Sequence, residues 1–300
     1  MFVMKKPGKQ IFEAGSRALL PLILAFLSFM PSYCRAQEAA AVLSKGSGLY
    51  FDAFMVFQKA LGRPVTPFDL SVKKPVLPGD LKAVVAFGSR AAAFEYPAGA
   101  KVIYLLSPGY TPRNAGGRFT AVSALPEPAQ AVEAYKKLQP GLKRLAVFIS
   151  KTSRSSYIAE LSAAAKPRGV VIIPVALGGP GEFPDKLRAL AGKTDAFWLL
   201  PEPALIDKTS LLVLADFSCS NKLPFYAPSG GLSEMGAAAA FAPGLDAVGA
   251  AAAAALEKAL SGGPLPETIY VPHSEMTING AFIKKCGLPV RLFAAEETLK

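Results

Sequence analysis

The sequence predicts an α/β protein of two lobes, and three observations carry the expectation. Short apolar runs of strand type alternate with longer amphipathic runs along most of the chain, the pattern of βα units and a mostly parallel sheet. These runs fall into two blocks, one before about Gly141 and one after it, joined by Leu138-Gln-Pro-Gly141. With 51% hydrophobic and 18% charged residues over 300 positions, the chain buries a sizeable core and is not of the disordered class.

The first segment stands apart. Lys5, Lys6, Lys9 and Arg17 precede an apolar run from Ala18 to Met30, interrupted by Pro21 and followed by Pro-Ser-Tyr-Cys-Arg-Ala. This is the three-part plan of a secretory signal peptide over residues 1–36, with Cys34 and Ala36 as the small residues before the cut. Thirteen residues fall short of the roughly 20 that span a bilayer. Acylation at Cys34 would make a lipoprotein, but the bulky Tyr33 precedes it. The expected location is therefore the periplasm.

In the mature chain the strand candidates are Ala41–Ser44, Val65–Leu70, Ala83–Phe87, Lys101–Leu106, Phe119–Val122, Leu145–Ile149, Val170–Val175, Ala196–Leu200, Pro224–Ala227, Ala238–Ala242 and Thr268–Val271. Several are continuous apolar runs, as expected where helices cover both faces of a parallel sheet. Helices are expected over Phe51–Leu61, Pro128–Leu138, Ser155–Pro167, Glu182–Ala191, Ala204–Cys219, Asp246–Leu260 and Gly280–Cys286. The alanine run in Asp246–Leu260 is a strong helix former, and Gly262-Gly263-Pro264 stops it. No repeat of solenoid or propeller length is present.

Charge and cysteine usage narrow the function. The 33 basic against 22 acidic residues give +11, and without residues 1–36 the balance is 28 against 21, or +7. The basic residues are spread along the sequence rather than clustered, which argues against a nucleic-acid binder. Three cysteines and one histidine, without a C-x-x-C spacing, make a structural metal improbable, and no cofactor is assigned. In an oxidising compartment Cys219 and Cys286 could pair; two buried thiols are the equal alternative.

The strand ends carry a recurring small or hydroxyl residue: Ser44, Gly88-Ser89, Ser107-Pro108, Ser150 and Ser229-Gly230-Gly231. Hydroxyls and free N–H groups at the mouth of a cleft bind polar ligands, although capping and turn formation explain any one of these positions. The recurrence across both blocks points to a site. Ser150-Lys-Thr-Ser-Arg-Ser-Ser-Tyr157 opens an expected helix with a polar N-terminus, and Glu202 follows an apolar strand, placed to accept a ligand ammonium or to face water.

His273 is adjacent to Ser274 in the chain, but neighbouring side chains on an extended segment point to opposite faces. A hydrolase reading would rest on Ser229 and His273 alone. No Gly-x-Ser-x-Gly elbow, P-loop, His-Glu-x-x-His or Gly-x-Gly-x-x-Gly is present, so no catalytic residue is assigned and a non-enzyme is expected.

Three stretches together resemble the substrate-binding proteins of ABC transporters, of the tryptophan and tyrosine type. They are Arg118-Phe-Thr-Ala-Val-Ser123 with Leu138-Gln-Pro-Gly-Leu-Lys-Arg-Leu-Ala-Val-Phe148; Asn221-Lys-Leu-Pro-Phe-Tyr-Ala-Pro-Ser229 with Gly244-Leu-Asp-Ala-Val-Gly249; and Ile278-Asn-Gly-Ala-Phe-Ile-Lys-Lys-Cys-Gly-Leu-Pro289. The resemblance covers most of residues 83–290 and implies the type I periplasmic binding protein fold, two Rossmann-like lobes joined by a hinge. Arg118 and Ala121 depart from the family's Asn and Gly, and Val72 to Leu81 is a Lys/Pro/Gly-rich connection where the family has a helix.

The resemblance implies lobes of residues 37–142 with 243–270 and of 143–242 with 271–300, with hinges near Leu142–Lys143, Ala242–Gly244 and Ile269–Pro272. Its ligand groups fall on Ser44, Ser89, Ser107, Ser153, Ser155, Ser156, Glu202 and Ser229, with Tyr50, Phe51 and Tyr110 as flat apolar contacts. It implies a monomer that captures a small polar or amino-acid-like ligand and delivers it to an ABC permease in the inner membrane. The alternative is a sensory or adaptor module of the same fold, not coupled to transport.

Overall fold

The computed structural model describes residues 38–112, 117–153 and 156–291; the expected signal peptide, Cys34 and Ser155 lie outside them. The described residues form one compact unit with its own packed cores. Among these residues twelve strands build two six-stranded sheets. In chain order the first sheet takes β1 (Ala39–Leu43), β2 (Pro67–Asp69), β3 (Ala83–Phe87), β4 (Lys101–Leu105), β5 (Phe119–Val122) and, late in the chain, β11 (Thr268–Ile269). The second takes β6 (Arg144–Ser150), β7 (Val171–Leu177), β8 (Ala196–Leu199), β9 (Phe225–Ala227), β10 (Ala239–Ala242) and β12 (Glu275–Ile278).

The orders are β11-β5-β4-β3-β1-β2 and β12-β10-β9-β8-β6-β7. Every pairing is parallel except β10 with β12. The α/β class expected from the alternation of apolar runs is therefore the observed one.

The helices are α1 (Leu49–Leu61), α2 (Ser89–Ala92), α3 (Pro128–Leu138), α4 (Tyr157–Ala165), α5 (Phe183–Leu190), α6 (Lys208–Asn221), α7 (Gly230–Ser233), α8 (Leu245–Leu260) and α9 (Gly280–Cys286). They explain why the central strands read as unbroken apolar runs. Ala39, Ala41 and Leu43 face Phe54 and Phe57 of α1 and Leu256 of α8, while Ala40 and Val42 face Tyr96 and Tyr104 on the other side. Successive side chains of a strand point to opposite faces, and here both faces are covered. Helices α1 and α8 pack so closely that a Cβ on Gly249 would stand 2.7 Å from Val56 Cγ1 and 2.9 Å from the Phe57 nitrogen.

In the second lobe Leu145 and Val147 pack with Trp198 and Tyr226 on one face, and Ala146 and Phe148 with Phe197 and Phe183 on the other. Helix α3 belongs to the first of these clusters through Ala131, Val132, Tyr135 and Leu138, and Tyr135 stacks on Tyr226 at 4.2 Å. The apolar stripe of α3 is thus buried against the second sheet, and the chain passes from the first core to the second at residues 123–127, after β5. The other crossings are residues 243–244, between β10 and α8, and 270–274, between β11 and β12.

Helices α3 and α9 have the bounds expected from sequence. The start of α6 lies later than expected, because Asp207 and Ser210 form a capping box: the Asp207 carboxylate accepts from the Ser210 N–H, and the Ser210 hydroxyl accepts from the Asp207 N–H. Strand β12 and the four-residue helices α2 and α7 were not expected. An edge strand with exposed alternate residues, and single helical turns, carry too little periodicity to read. Residues Ser71 to Lys82 contain no helix or strand, in keeping with their reading as a connection. Cys219 of α6 and Cys286 of α9 form a disulfide across 67 positions of sequence. Among the described residues no helix is long and apolar enough to cross a membrane.

Candidate functional site

Parallel pairing brings the carboxyl ends of the strands to one edge of each sheet. Leu43, Phe87, Leu105, Val122 and Ile269 stand in register, so the residues that follow them share one rim. Ser150 with Leu177, Phe148 with Leu199, and Trp198 with Tyr226 set the matching rim of the second sheet. Between the rims lies a cleft of about 650 Å³. This is the place where open α/β sheets bind ligands.

Four of the sequence-predicted residues line the cleft: Ser107, Ser156, Glu202 and Ser229. The Ser107 hydroxyl donates to the Leu105 carbonyl at 3.1 Å, and the Ser156 hydroxyl to Glu160 Oε1 at 2.6 Å. Ser229 stands as the N-cap residue of α7 without a side-chain capping bond.

The first-lobe pair Ser44 and Ser89 is placed elsewhere. Ser44 is buried, and its Oγ accepts from the Ala91 N–H at 3.0 Å, so it holds the start of α2 against the sheet. Gly88 (φ +92°) has no room for a side chain: a Cβ there would lie 2.6 Å from Ser44 Oγ and 2.7 Å from Tyr50 Cε1. The Tyr50 ring thus lies over the Gly88 turn, while Ser89 is an exposed first residue of α2. Neither serine is among the residues that line the cleft.

Glu202 is one of the two carboxylates among the described lining residues. It lies between Pro201 and Pro203, just beyond β8, with only 7% of its surface exposed. Burial pushes its carboxyl above the usual carboxylate value of 4.5, and the Ser153 hydroxyl and Ser150 backbone offset part of that. Ser153 is outside the lining and acts on the site through Glu202.

The β4–β5 loop reaches over this carboxylate. Leu106 and Gly109 both take left-handed backbone, at φ 52° and 68°. For a leucine this is a strained conformation, of the kind that concentrates at ligand sites. The loop brings Gly109 so near the second lobe that a Cβ would stand 3.1 Å from Glu202 Oε2 and 3.3 Å from Ser153 Oγ.

Aromatic and aliphatic side chains form the walls. Tyr104 and Tyr110 meet edge to face at 5.4 Å, and burial pushes the Tyr104 phenol up to about 12. Opposite them stand Leu200, Ile206 and Leu232. Tyr157 donates to the Pro126 carbonyl at 3.0 Å, and Tyr270, on the third crossing, donates to Glu160 Oε2 at 2.5 Å. Of the three aromatic residues expected from sequence, Tyr50 and Tyr110 line the cleft, while Phe51 is 41% exposed and outside it.

Tyr104, Tyr157 and Tyr270 were missed. Tyr157 was legible only as the end of a hydroxyl run, and the other two only as apolar members of strands. Among the described lining residues the charged groups are Glu202 and Glu267, with no Lys, Arg or His. His273 is exposed and outside the lining, so it is not brought to Ser229 in the cleft. No three metal-ligating side chains are grouped among the described residues.

Residues 105–290 match the family model of ABC transporter substrate binding proteins. No curated protein sequence matches significantly. Among solved structures, a substrate binding protein with adhesive properties from Clostridium difficile, in its ligand-free, open form, superposes with a TM-score of 0.60 at 16% identity, over 87% of this chain and 97% of that one. A conserved domain protein from Vibrio cholerae gives 0.59 at 15% identity, over 85% and 96%. An ABC domain from Streptococcus pneumonia, solved in complex with L-Trp, gives 0.58 at 17% identity, over 84% and 96%. At these identities the likeness is one of fold, the two-lobed type I periplasmic binding protein architecture.

Proposed function

Because the chain belongs to the ABC transporter substrate binding protein family, we propose that it is an exported solute receptor that captures a small amino-acid-like ligand between its lobes and presents it to an ABC permease of the inner membrane. The observation that carries this reading is Glu202, a nearly buried carboxylate in a cleft of about 650 Å³ walled by Tyr104, Tyr110, Ile206 and Leu232. A ligand ammonium at Glu202 replaces solvent with a charge-assisted hydrogen bond, and an apolar or aromatic body fills the space between the walls. Ser107, Ser156 and Ser229 supply hydroxyls to the polar end. The complex of a streptococcal relative with L-Trp is of the same chemical kind.

Function of this type is binding work. A ligand that contacts both lobes stabilises the closed arrangement, which is the form a permease recognises. The test is a thermal-shift screen of residues 37–300 against amino acids, peptides, nucleosides, organic acids and sugars, with mass spectrometry of any co-purified ligand. At one hundred times the dissociation constant, linkage predicts about 2.7 kcal/mol of stabilisation, a shift of several degrees. A selective shift that is lost in Glu202→Ala supports the reading; a folded protein that responds to no compound overturns it. The helix-free connection from Ser71 to Lys82 favours, as a second reading, a sensory module of the same fold. That reading is separated by reconstituted transport, which a sensory module does not support.

A further inference from the structure

The positive charge of the protein is gathered at one pole of the second lobe, opposite the cleft. The topology produces this. In the second sheet the parallel strands point their carboxyl ends at the cleft, so the helices that return between them end at the far pole. At those ends stand Lys137 of α3, Lys143 before β6, Lys166 after α4, Lys193 after α5 and Lys222 after α6. Helix α9 and the segment after it add Lys284, Lys285 and Arg291.

All eight are exposed, and none forms an ion pair among the described residues. They belong to one continuous surface. The Arg291 N–H donates to the Leu138 carbonyl, the Cys219–Cys286 disulfide ties α9 to the end of α6, Val171 donates to the Lys143 carbonyl, and Arg144 donates to the Gly192 carbonyl.

The asymmetry is large. With the partly buried Lys136, Arg144 and Arg168 the pole holds eleven cations, against the carboxylates Glu133, Asp195, Asp216 and Glu234. The remaining described residues carry fourteen cations and fifteen carboxylates, close to neutral. A preference for Lys and Arg at helix carboxyl ends would enrich both lobes alike. At the first lobe's far pole Arg63 pairs with Glu257 and Lys82 with Glu38, while Lys59 and Lys258 at the ends of α1 and α8 form no ion pair among the described residues; at the second lobe's pole Arg144 pairs with Asp195 and Arg168 with Glu133. The difference between the poles is one of number: eight exposed cations without an ion pair on the second lobe, against Lys59 and Lys258 on the first.

We infer that this pole is a docking face for an anionic phospholipid surface. Seven of the eight exposed cations are lysines, supplied by separate segments of the chain. Lysine is a hydrated point charge on a flexible stem, and a dispersed set of lysines reads charge density over an area, where a discrete phosphate site converges guanidinium groups on one anion. Val171, 60% exposed beside Lys143, adds an apolar contact of the kind that enters a headgroup layer. The inference is independent of what the cleft binds.

The test is co-sedimentation of residues 37–300, which contain the compact unit, with vesicles of phosphatidylcholine containing about a quarter phosphatidylglycerol. Vesicles of phosphatidylcholine alone, each composition at low and high salt, complete the comparison. Binding to the anionic vesicles only, removed by salt, is expected. The double variant Lys284→Glu with Lys285→Glu should bind at least about tenfold more weakly. Lys73→Glu with Lys74→Glu makes the same change of net charge on the first lobe and should bind like the parent.

If the first variant does not melt like the parent, Lys166→Glu with Lys193→Glu takes its place. The inference is overturned by equal binding to neutral vesicles, by no binding at low salt, or by equal losses in the two lobes' variants. Retention by soluble polyphosphate without vesicle binding also overturns it, in favour of a polyanion partner.

Discussion

Gly109 of the first lobe lies directly against Glu202 of the second. A Cβ on Gly109 would stand 3.1 Å from Glu202 Oε2, and the residue's φ of +68° is one that side chains other than glycine rarely adopt. The contact joins the lobes over the carboxylate that marks the cleft. Gly109→Val should therefore hold the lobes apart. Backbone strain of about 1–2 kcal/mol adds to the crowding, so ligand affinity should fall at least about tenfold. Titration calorimetry reads the affinity and small-angle scattering the opening; a variant as compact as the parent, with unchanged affinity, would contradict the role.

Glu202 makes stability and binding respond to pH in opposite senses. Its folded-state pKa is raised above 4.5, chiefly by burial. A group raised in this way contributes stability that is complete below the unfolded value and is lost as pH rises through the folded value. Glu202→Gln should thus leave stability at neutral pH unchanged or slightly higher, and flatten its dependence on pH just above 4.5. The affinity for an ammonium-bearing ligand should fall in the parent as pH drops through the folded value. In the variant it should be weak throughout. Melting and binding followed across the same pH series check both senses.

The Cys219–Cys286 disulfide closes 67 positions of sequence and anchors α9, the last described helix. Replacing both cysteines by serine should cost about 2–5 kcal/mol. Denaturant unfolding of the oxidised parent, the reduced parent and the variant should place the last two together. A reduced parent as stable as the oxidised one would refute the contribution.

Gly249 is a packing position between α1 and α8, with Val56 Cγ1 and the Phe57 backbone where a Cβ would go. Gly249→Val should separate the helices and destabilise the first lobe by about 1–3 kcal/mol. Trp198, the chain's one tryptophan, reports on the second lobe. Loss of secondary structure before the change in Trp198 emission is the expected order in a denaturant titration. Coincident transitions would show the two lobes unfolding as a unit.

Most of the fold was written in local pattern. Unbroken apolar runs located the central strands, and the stripe of Pro128–Leu138 marked a helix whose bounds the structure reproduces. Period and capping act between residues near in sequence, so the sequence by itself determines them. It also determined the Gly109 and Gly88 turns, because only a residue without a Cβ fits there.

The tertiary structure decided which face each element meets. The stripe of α3 would suit either sheet, and it is buried against the second. Ser44 and Ser107 are alike in sequence, each a serine after an apolar strand. Ser44 is consumed by the Ala91 N–H beneath the Tyr50 ring, while Ser107 opens onto the cleft. The lysines at the second lobe's pole come singly or in pairs from separate segments of the chain, and only the strand order places them on one surface. Such outcomes depend on contacts between residues far apart in sequence, which no local period encodes.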